Sequence, residues 1–204
     1  NFTVESANQL AVLIRAGALP APLNILEQRT VGPDLGKDSI DAGKLASVIG
    51  FVAVVVFMVL SYGWFGVVAN IGLLFNLLLL LGGMSLIQAT LTLPGIAGIV
   101  LTLGMAVDAN VLVFERMREE IRAGKTAIQA ATDGYKKVMT TILDANVTTL
   151  IAAAVMFEFG TGPVKGFAVT LTLGVITSMF TAVYVTRLII ASWIRRARPA
   201  RLPI

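Results

Sequence analysis

The sequence predicts an all-α membrane protein: a polytopic helix bundle of five spans, preceded by a short α/β remnant of an extramembrane domain. Three observations predict it. Hydrophobic residues make up 56% of the 204 residues and charged residues only 14%, against about 25% charged in an ordinary soluble domain; mean hydropathy is +0.85. The apolar residues fall in blocks of roughly twenty, the length a helix needs to cross a hydrocarbon core of about 30 Å. Lys and Arg cluster in two segments that share one side if the blocks cross the bilayer alternately.

Residues 1–38 read as the extramembrane remnant. Val4, Ala7, Leu10, Ala11 and Ile14 recur at helical spacing, and Gly17 with Pro20 closes that helix. Residues 23–31 alternate in part and predict a strand, stopped by Gly32-Pro33. One helix and one strand cannot bury a core alone. With Asn1 where a starting Met would stand, the chain is expected to be cut from a longer one.

The bundle is expected over residues 39–194. The first span covers about 40–62, with Asp38 or Ser39 as N-cap. A tight Tyr62-Gly63-Trp64 turn, whose aromatics suit a membrane interface, leads into the second, about 65–87. The third, about 93–114, opens with Pro94 in its first turn, a tolerated place. The fourth covers about 139–159. The fifth, about 164–193, follows Gly160-Thr161-Gly162-Pro163; its length predicts tilt or extension into the interface. Between the third and fourth, residues 115–138 predict a short amphipathic helix around 126–137, with Ile128 and Ala131 on one side and Lys136 and Lys137 near its end.

Charge sets the orientation. Residues 115–138 carry Arg116, Arg118, Arg122, Lys125, Lys136 and Lys137, and the tail 195–204 carries Arg195, Arg196, Arg198 and Arg201. The opposite loops carry only Lys165. The basic side is expected to be cytoplasmic and residues 1–38 to lie outside. The tail is the positive-inside signal, not a nucleic-acid site. No cysteine is present for a disulfide or thiolate site, and no histidine for near-neutral proton transfer. No phosphate loop, metal cluster or nucleophile–base pair is visible. No enzyme, cofactor or metal is expected.

Two aspartates break the apolar pattern in one tripeptide, Asp108-Ala109-Asn110 and Asp144-Ala145-Asn146. A carboxylate near the bilayer centre costs about 2.5–3.5 kcal/mol on insertion scales, so such groups read as relays, ion sites or substrate contacts. Both lie roughly 8–10 Å below the cytoplasmic surface at about 1.5 Å per residue. They are candidates to line one level of the bundle and to titrate as a coupled pair. Asp108 is the stronger candidate for a proton or ion role; Asp144, a turn and a half from the interface, divides evenly between structural and functional roles. Asn110 and Asn146 are supporting amides that bridge helices or hold water. Gly95, Ala97, Gly98, Gly104, Gly166 and Gly174 permit close helix contact. Arg187 is expected to snorkel to the cytoplasmic interface, and Glu158 to face the outer one.

Residues 101–116, Leu-Thr-Leu-Gly-Met-Ala-Val-Asp-Ala-Asn-Val-Leu-Val-Phe-Glu-Arg, resemble the fourth-span motif of the SecD/SecF family of protein-export subunits, in the resistance-nodulation-division superfamily. Residues 144–150, Asp-Ala-Asn-Val-Thr-Thr-Leu, are similar to the fifth-span motif, and Gly160-Thr161-Gly162 with Lys165-Gly166-Phe167-Ala168 to the start of the sixth. Residues 13–22 resemble the end of the first periplasmic domain, and 31–36 its junction with the second span. The Asp-Ala-Asn run is lacking from the SecF-type pattern, so the resemblance lies on the SecD side. It implies spans two to six of a six-span unit, paired with SecF in a pseudo-symmetric heterodimer. It implies work beside the SecYEG channel, with YajC and YidC as further partners, on unfolded preprotein in the bacterial inner membrane. It implies that the proton-motive force drives late steps of export, with Asp108 and Asp144 as proton-relay carboxylates, the N-terminal part periplasmic and the C-terminus cytoplasmic. Two alternatives stand beside it: another exporter of the same superfamily, and a passive membrane scaffold.

Overall fold

A computed structural model describes residues 3–17, 33–89, 92–197, 199 and 202. The chain divides into two compact units, residues 1–36 and 37–204. In the first, α1 (Val4–Gly17) ends at the expected glycine. The Thr3 hydroxyl accepts from the Ser6 amide at 3.4 Å, a side-chain start for that helix. The strand expected at 23–31 lies outside the described residues.

Helix α2 runs Pro33–Leu86. It begins at Pro33, not at the N-caps expected at Asp38 or Ser39; proline suits a first turn, where its missing N–H has no helical partner. At Gly63 the backbone leaves helical geometry, with φ 52° and ψ −123°, a conformation closed to residues with a Cβ. There the helix folds back into two arms. Asn70 Nδ2 donates to the Val55 carbonyl at 3.0 Å, although fifteen residues of straight helix would separate them by about 22 Å. A Cβ on Gly66 would lie 1.9 Å from the Met58 carbonyl oxygen, so the two arms touch backbone to backbone.

Helix α3 (Leu93–Arg122) opens with the Thr92 hydroxyl accepting from the Gly95 amide at 3.2 Å and with Pro94 in its first turn. It ends in a tight reversal. Gly124, at φ 86°, is left-handed; its N–H donates to Ile121 O, and that of Lys125 to Glu120 O, the two bonds of a Schellman end. Thr126 and Gln129 then cap α4 (Ala127–Phe159) reciprocally. The amphipathic stretch at 126–137 is not a separate helix but the first turns of α4: nothing between Lys137 and Met139 interrupts the helical backbone. The last apolar segment comprises α5 (Pro163–Phe180), a π-helical turn (Thr181–Thr186) and α6 (Arg187–Ala197).

Among the described residues four helical stretches, Ile40–Leu86 within α2, α3, α4 and the continuous last segment Pro163–Ala197, are long and apolar enough to cross a membrane, and no strand occurs among those residues. Helix α3 packs against α4 and α5, which also pack on each other. The α3–α5 contact is an exchange of small residues. Thr170 of α5 sits on Gly98, and Thr102 of α3 sits on Gly174. Gly95 and Gly166 also meet threonines, whereas Gly104 has open space before it and Ala97 is exposed. Aromatic contacts close one end: Phe65 meets Phe114 edge-on at 5.4 Å and Trp193 at 5.9 Å. That end holds the Gly63 turn, the α3–α4 turn and the basic residues of 116–137 and 187–196.

Candidate functional site

Asp108 falls on one stripe of α3, formed by Leu93, Ala97, Leu101, Gly104, Asp108 and Leu112, which repeat at helical spacing and are all exposed. It is the one polar side chain of that stripe. Asp144 lies on the open surface of α4 beside exposed Leu143 and Val147. Neither carboxylate has a hydrogen bond or ion pair among the described residues.

The register of α3 and α4 is fixed where Met117 packs on Gly134, with Met117 Cγ 2.8 Å from the position of a Cβ. Counting nine residues back on one helix and forward on the other sets Asp108 level with Leu143, one residue from Asp144. The two carboxylates thus share a level along antiparallel helices, but no direct bond joins them. The amides behave differently. Asn110 is 3% exposed, and its Oδ1 lacks a partner among the described residues. Asn146 Nδ2 donates to Ile142 O of its own helix at 2.7 Å, so it bridges no helices here.

Polar groups not singled out from the sequence lie deeper. Asn76 is fully buried with both amide atoms unpartnered among the described residues, as is Thr186 Oγ1. Thr186 closes the π-helical turn and faces Gly72, one helical turn before Asn76 on α2. The run Leu73-Leu74-Phe75-Asn76-Leu77 held the signal: one amide inside an apolar block.

Next to the basic end stands an ion cluster. Glu120, with a side chain 5% exposed, binds Lys125 Nζ at 2.6 Å and Lys137 Nζ at 2.7 Å. Arg116 Nε lies 3.2 Å from the same carboxylate, near enough for charge attraction but without hydrogen-bond geometry. Lys125 also bonds Asp133. The bonds from Lys125 and Lys137 pull the Glu120 carboxyl down to about 2, and those from Asp133 and Glu120 raise Lys125. These pairs staple the α3–α4 turn. A second staple holds the Gly63 turn: Arg118 donates to Ser61 O and to Glu115, each at 2.7 Å, and stacks over the Tyr62 ring, whose hydroxyl donates to Glu115. No cluster able to hold a metal occurs among the described residues.

The family model described as "Protein export membrane protein SecD/SecF, C-terminal" matches residues 18–196. A protein translocase subunit SecD of Rickettsia conorii is 57% identical over 99% of this chain and 39% of its own length. One from Magnetococcus marinus is 57% identical over 100% of this chain and 39% of its own, and one from Syntrophobacter fumaroxidans 60% over 93% and 36%. The crystal structure of SecDF, a translocon-associated membrane protein from Thermus thermophilus, superposes with TM-score 0.85 at 45% identity, over 100% of this chain and 28% of that one. The chain spans about two fifths of the length of the curated relatives it matches.

Proposed function

This chain belongs to the SecD/SecF family of protein-export membrane proteins, and from that premise we propose that it is the membrane core of an accessory subunit of the Sec translocon. In this reading it couples the proton-motive force to late steps of preprotein export. The arms of α2 make two crossings and α3, α4 and the last segment one each, five in all, with the basic end cytoplasmic and residues 1–38 periplasmic, in a bacterial inner membrane.

The observation that carries the reading is Asp108: a carboxylate on an outward, otherwise apolar stripe of a membrane helix. Facing acyl chains it would cost about 2.5–3.5 kcal/mol. Facing a second helix bundle it gains partners and a protected route for protons. The partner is SecF, which covers α3 and α4; SecYEG, YajC and YidC complete the assembly that handles the preprotein. Asp144, at the same level, is the second relay carboxylate, with Asn110 and Asn146 as supporting amides. Each proton moving down 100 mV supplies about 2.3 kcal/mol.

The test is export of a slow preprotein into vesicles holding the full-length complex, with and without an imposed proton gradient. Asp108→Asn keeps the shape and removes the titrating proton. The expected result is an assembled complex whose late-stage export no longer responds to the gradient. An unchanged gradient response would leave Asp108 a structural contact and the subunit a scaffold.

A further inference from the structure

Where the first turns of α4 lie beside α6, the surface opens into a cavity of ≈ 330 Å³, within the range of about 300–1,000 Å³ that holds small ligands. Its floor is apolar: Ala131, Ile190 and Ile194 are buried, and Ile128 forms an exposed wall. Its rim is cationic: Arg187 and Arg195, eight residues apart on α6, both border it. No carboxylate lines the cavity, and neither arginine pairs with an acid among the described residues.

Tyr135 lines the same cavity and is 6% exposed. Its hydroxyl has no partner among the described residues, and the Arg187 guanidinium stands 5.5 Å from its ring centroid. A buried hydroxyl without an acceptor is costly. Burial also raises the Tyr135 phenol above its usual value against the opposing pull of Arg187, so the group is a donor at neutral pH.

Two unpaired cations, a donor short of an acceptor and an apolar floor complement one chemistry: an anionic phosphate that carries an acyl chain. The height agrees. The cavity lies at the basic, aromatic-rich end of the bundle, where tryptophan and tyrosine mark the headgroup level and basic pockets between helices take anionic headgroups. We propose that the cavity between α4 and α6 binds an anionic phospholipid, its phosphate held by Arg195, Arg187 and the Tyr135 hydroxyl and its ester and first acyl carbons resting on the apolar floor at Ile190 and Ile194. A free phosphate would leave the apolar floor unused. The site is separate from Asp108 and Asp144 and does not depend on proton coupling.

Native mass spectrometry of the full-length complex tests it, after exchange into micelles with equal phosphatidylglycerol and phosphatidylcholine. The wild type is expected to retain phosphatidylglycerol preferentially. Each arginine near an anionic headgroup contributes on the order of fivefold, so Arg187→Gln with Arg195→Gln lowers the preference about twenty-five-fold. Ala191→Phe fills the cavity wall without removing charge and is expected to abolish retention. Tyr135→Phe keeps the ring and loses the donor, and lowers retention about tenfold; it stands in if the arginine pair fails to assemble. A control, Lys136→Gln with Arg196→Gln, removes two charges outside the cavity and keeps the preference. Equal retention of the two lipids by the wild type overturns the proposal, as does undiminished retention in the Ala191→Phe or Tyr135→Phe complex. Displacement by inorganic phosphate at lipid-like concentration would make the ligand a free anion and also overturn it.

Discussion

Gly174→Ala tests how α3 and α5 hold together. A Cβ at position 174 would stand 2.1 Å from Thr102 Cγ2 and 2.5 Å from its Oγ1. Ordinary contact begins near 3.4 Å, so Thr102 would have to withdraw by 1.3 Å. Thr102 is fully buried, and its hydroxyl is held by Gly98 O at 2.6 Å; it cannot rotate away without leaving that bond. Overpacking of this kind costs about 1–3 kcal/mol, partly offset by the helix preference of alanine over glycine, about 0.8–1.0 kcal/mol. Thr102→Ala alone loses one methyl and one buried hydrogen bond, about 1–2 kcal/mol. In the double variant the nearest remaining atom is the residue 102 Cβ, 2.8 Å away, so only 0.6 Å of adjustment is needed. The second substitution then relieves the first, and the coupling energy is expected to favour the double variant by about 1 kcal/mol or more. Denaturant unfolding in mixed micelles measures all three variants. Additive losses within about 0.5 kcal/mol, or a neutral Gly174→Ala, would refute the steric exchange.

Three further outcomes are expected. Gly66→Ala meets the Met58 backbone at 1.9 Å and should cost at least about 3 kcal/mol, whereas Gly82→Ala, with nothing within 4 Å, should stabilise by about 0.5–1 kcal/mol; the same unfolding assay ranks them. Gln88 holds φ 51° at the end of α2, with Ala89 N–H bonded to Met84 O; Gln88→Gly relieves that strain and should raise stability by about 0.5–1 kcal/mol, and a loss would refute the strain. Glu120 titrates at about 2 in the fold against an ordinary 4.5, so its stabilisation is complete above pH 4.5 and lost as pH falls toward 2. Glu120→Gln should unfold with a weaker acid dependence across that window, read from unfolding midpoints at several pH values; an unchanged acid dependence would remove Glu120 from the staple.

What could be read from the sequence was whatever repeats locally. Long apolar blocks, the Tyr62-Gly63-Trp64 turn and Pro94 in the first turn of α3 declare themselves within a few residues, because length, φ freedom and first-turn proline are local matters. Helix continuity was harder. The polarity change at Met139 is no break in the backbone, so α4 runs through it. Glycines were legible as packing sites but not as pairs: Gly98 and Gly174 meet threonines, while Gly104 lies open. Asp108 and Asp144 were singled out on insertion cost, and their shared level follows from the Met117–Gly134 register. Asn76 stood as a lone amide in an apolar block, whereas the facing of Thr186 on Gly72 and the Lys137 partner of Glu120 join residues distant in sequence. The π-helical turn gave no compositional sign.

The hold of Arg118 on the Ser61 carbonyl joins residues 57 positions apart. A ribosome adds about 5–20 residues per second, so for roughly 3–11 s the bend at Gly63 exists before its guanidinium does. Through that interval the last carbonyls of the first arm must draw hydrogen bonds from water, since hydrocarbon offers none. On the two-crossing reading of α2 proposed above, the bend therefore stays at an aqueous face while the two arms insert. On the same reading Arg118, arriving with α3, takes over that hydrogen bond at the Ser61 carbonyl. On that reading a brace in the finished fold is, during synthesis, a timed handover from solvent to protein.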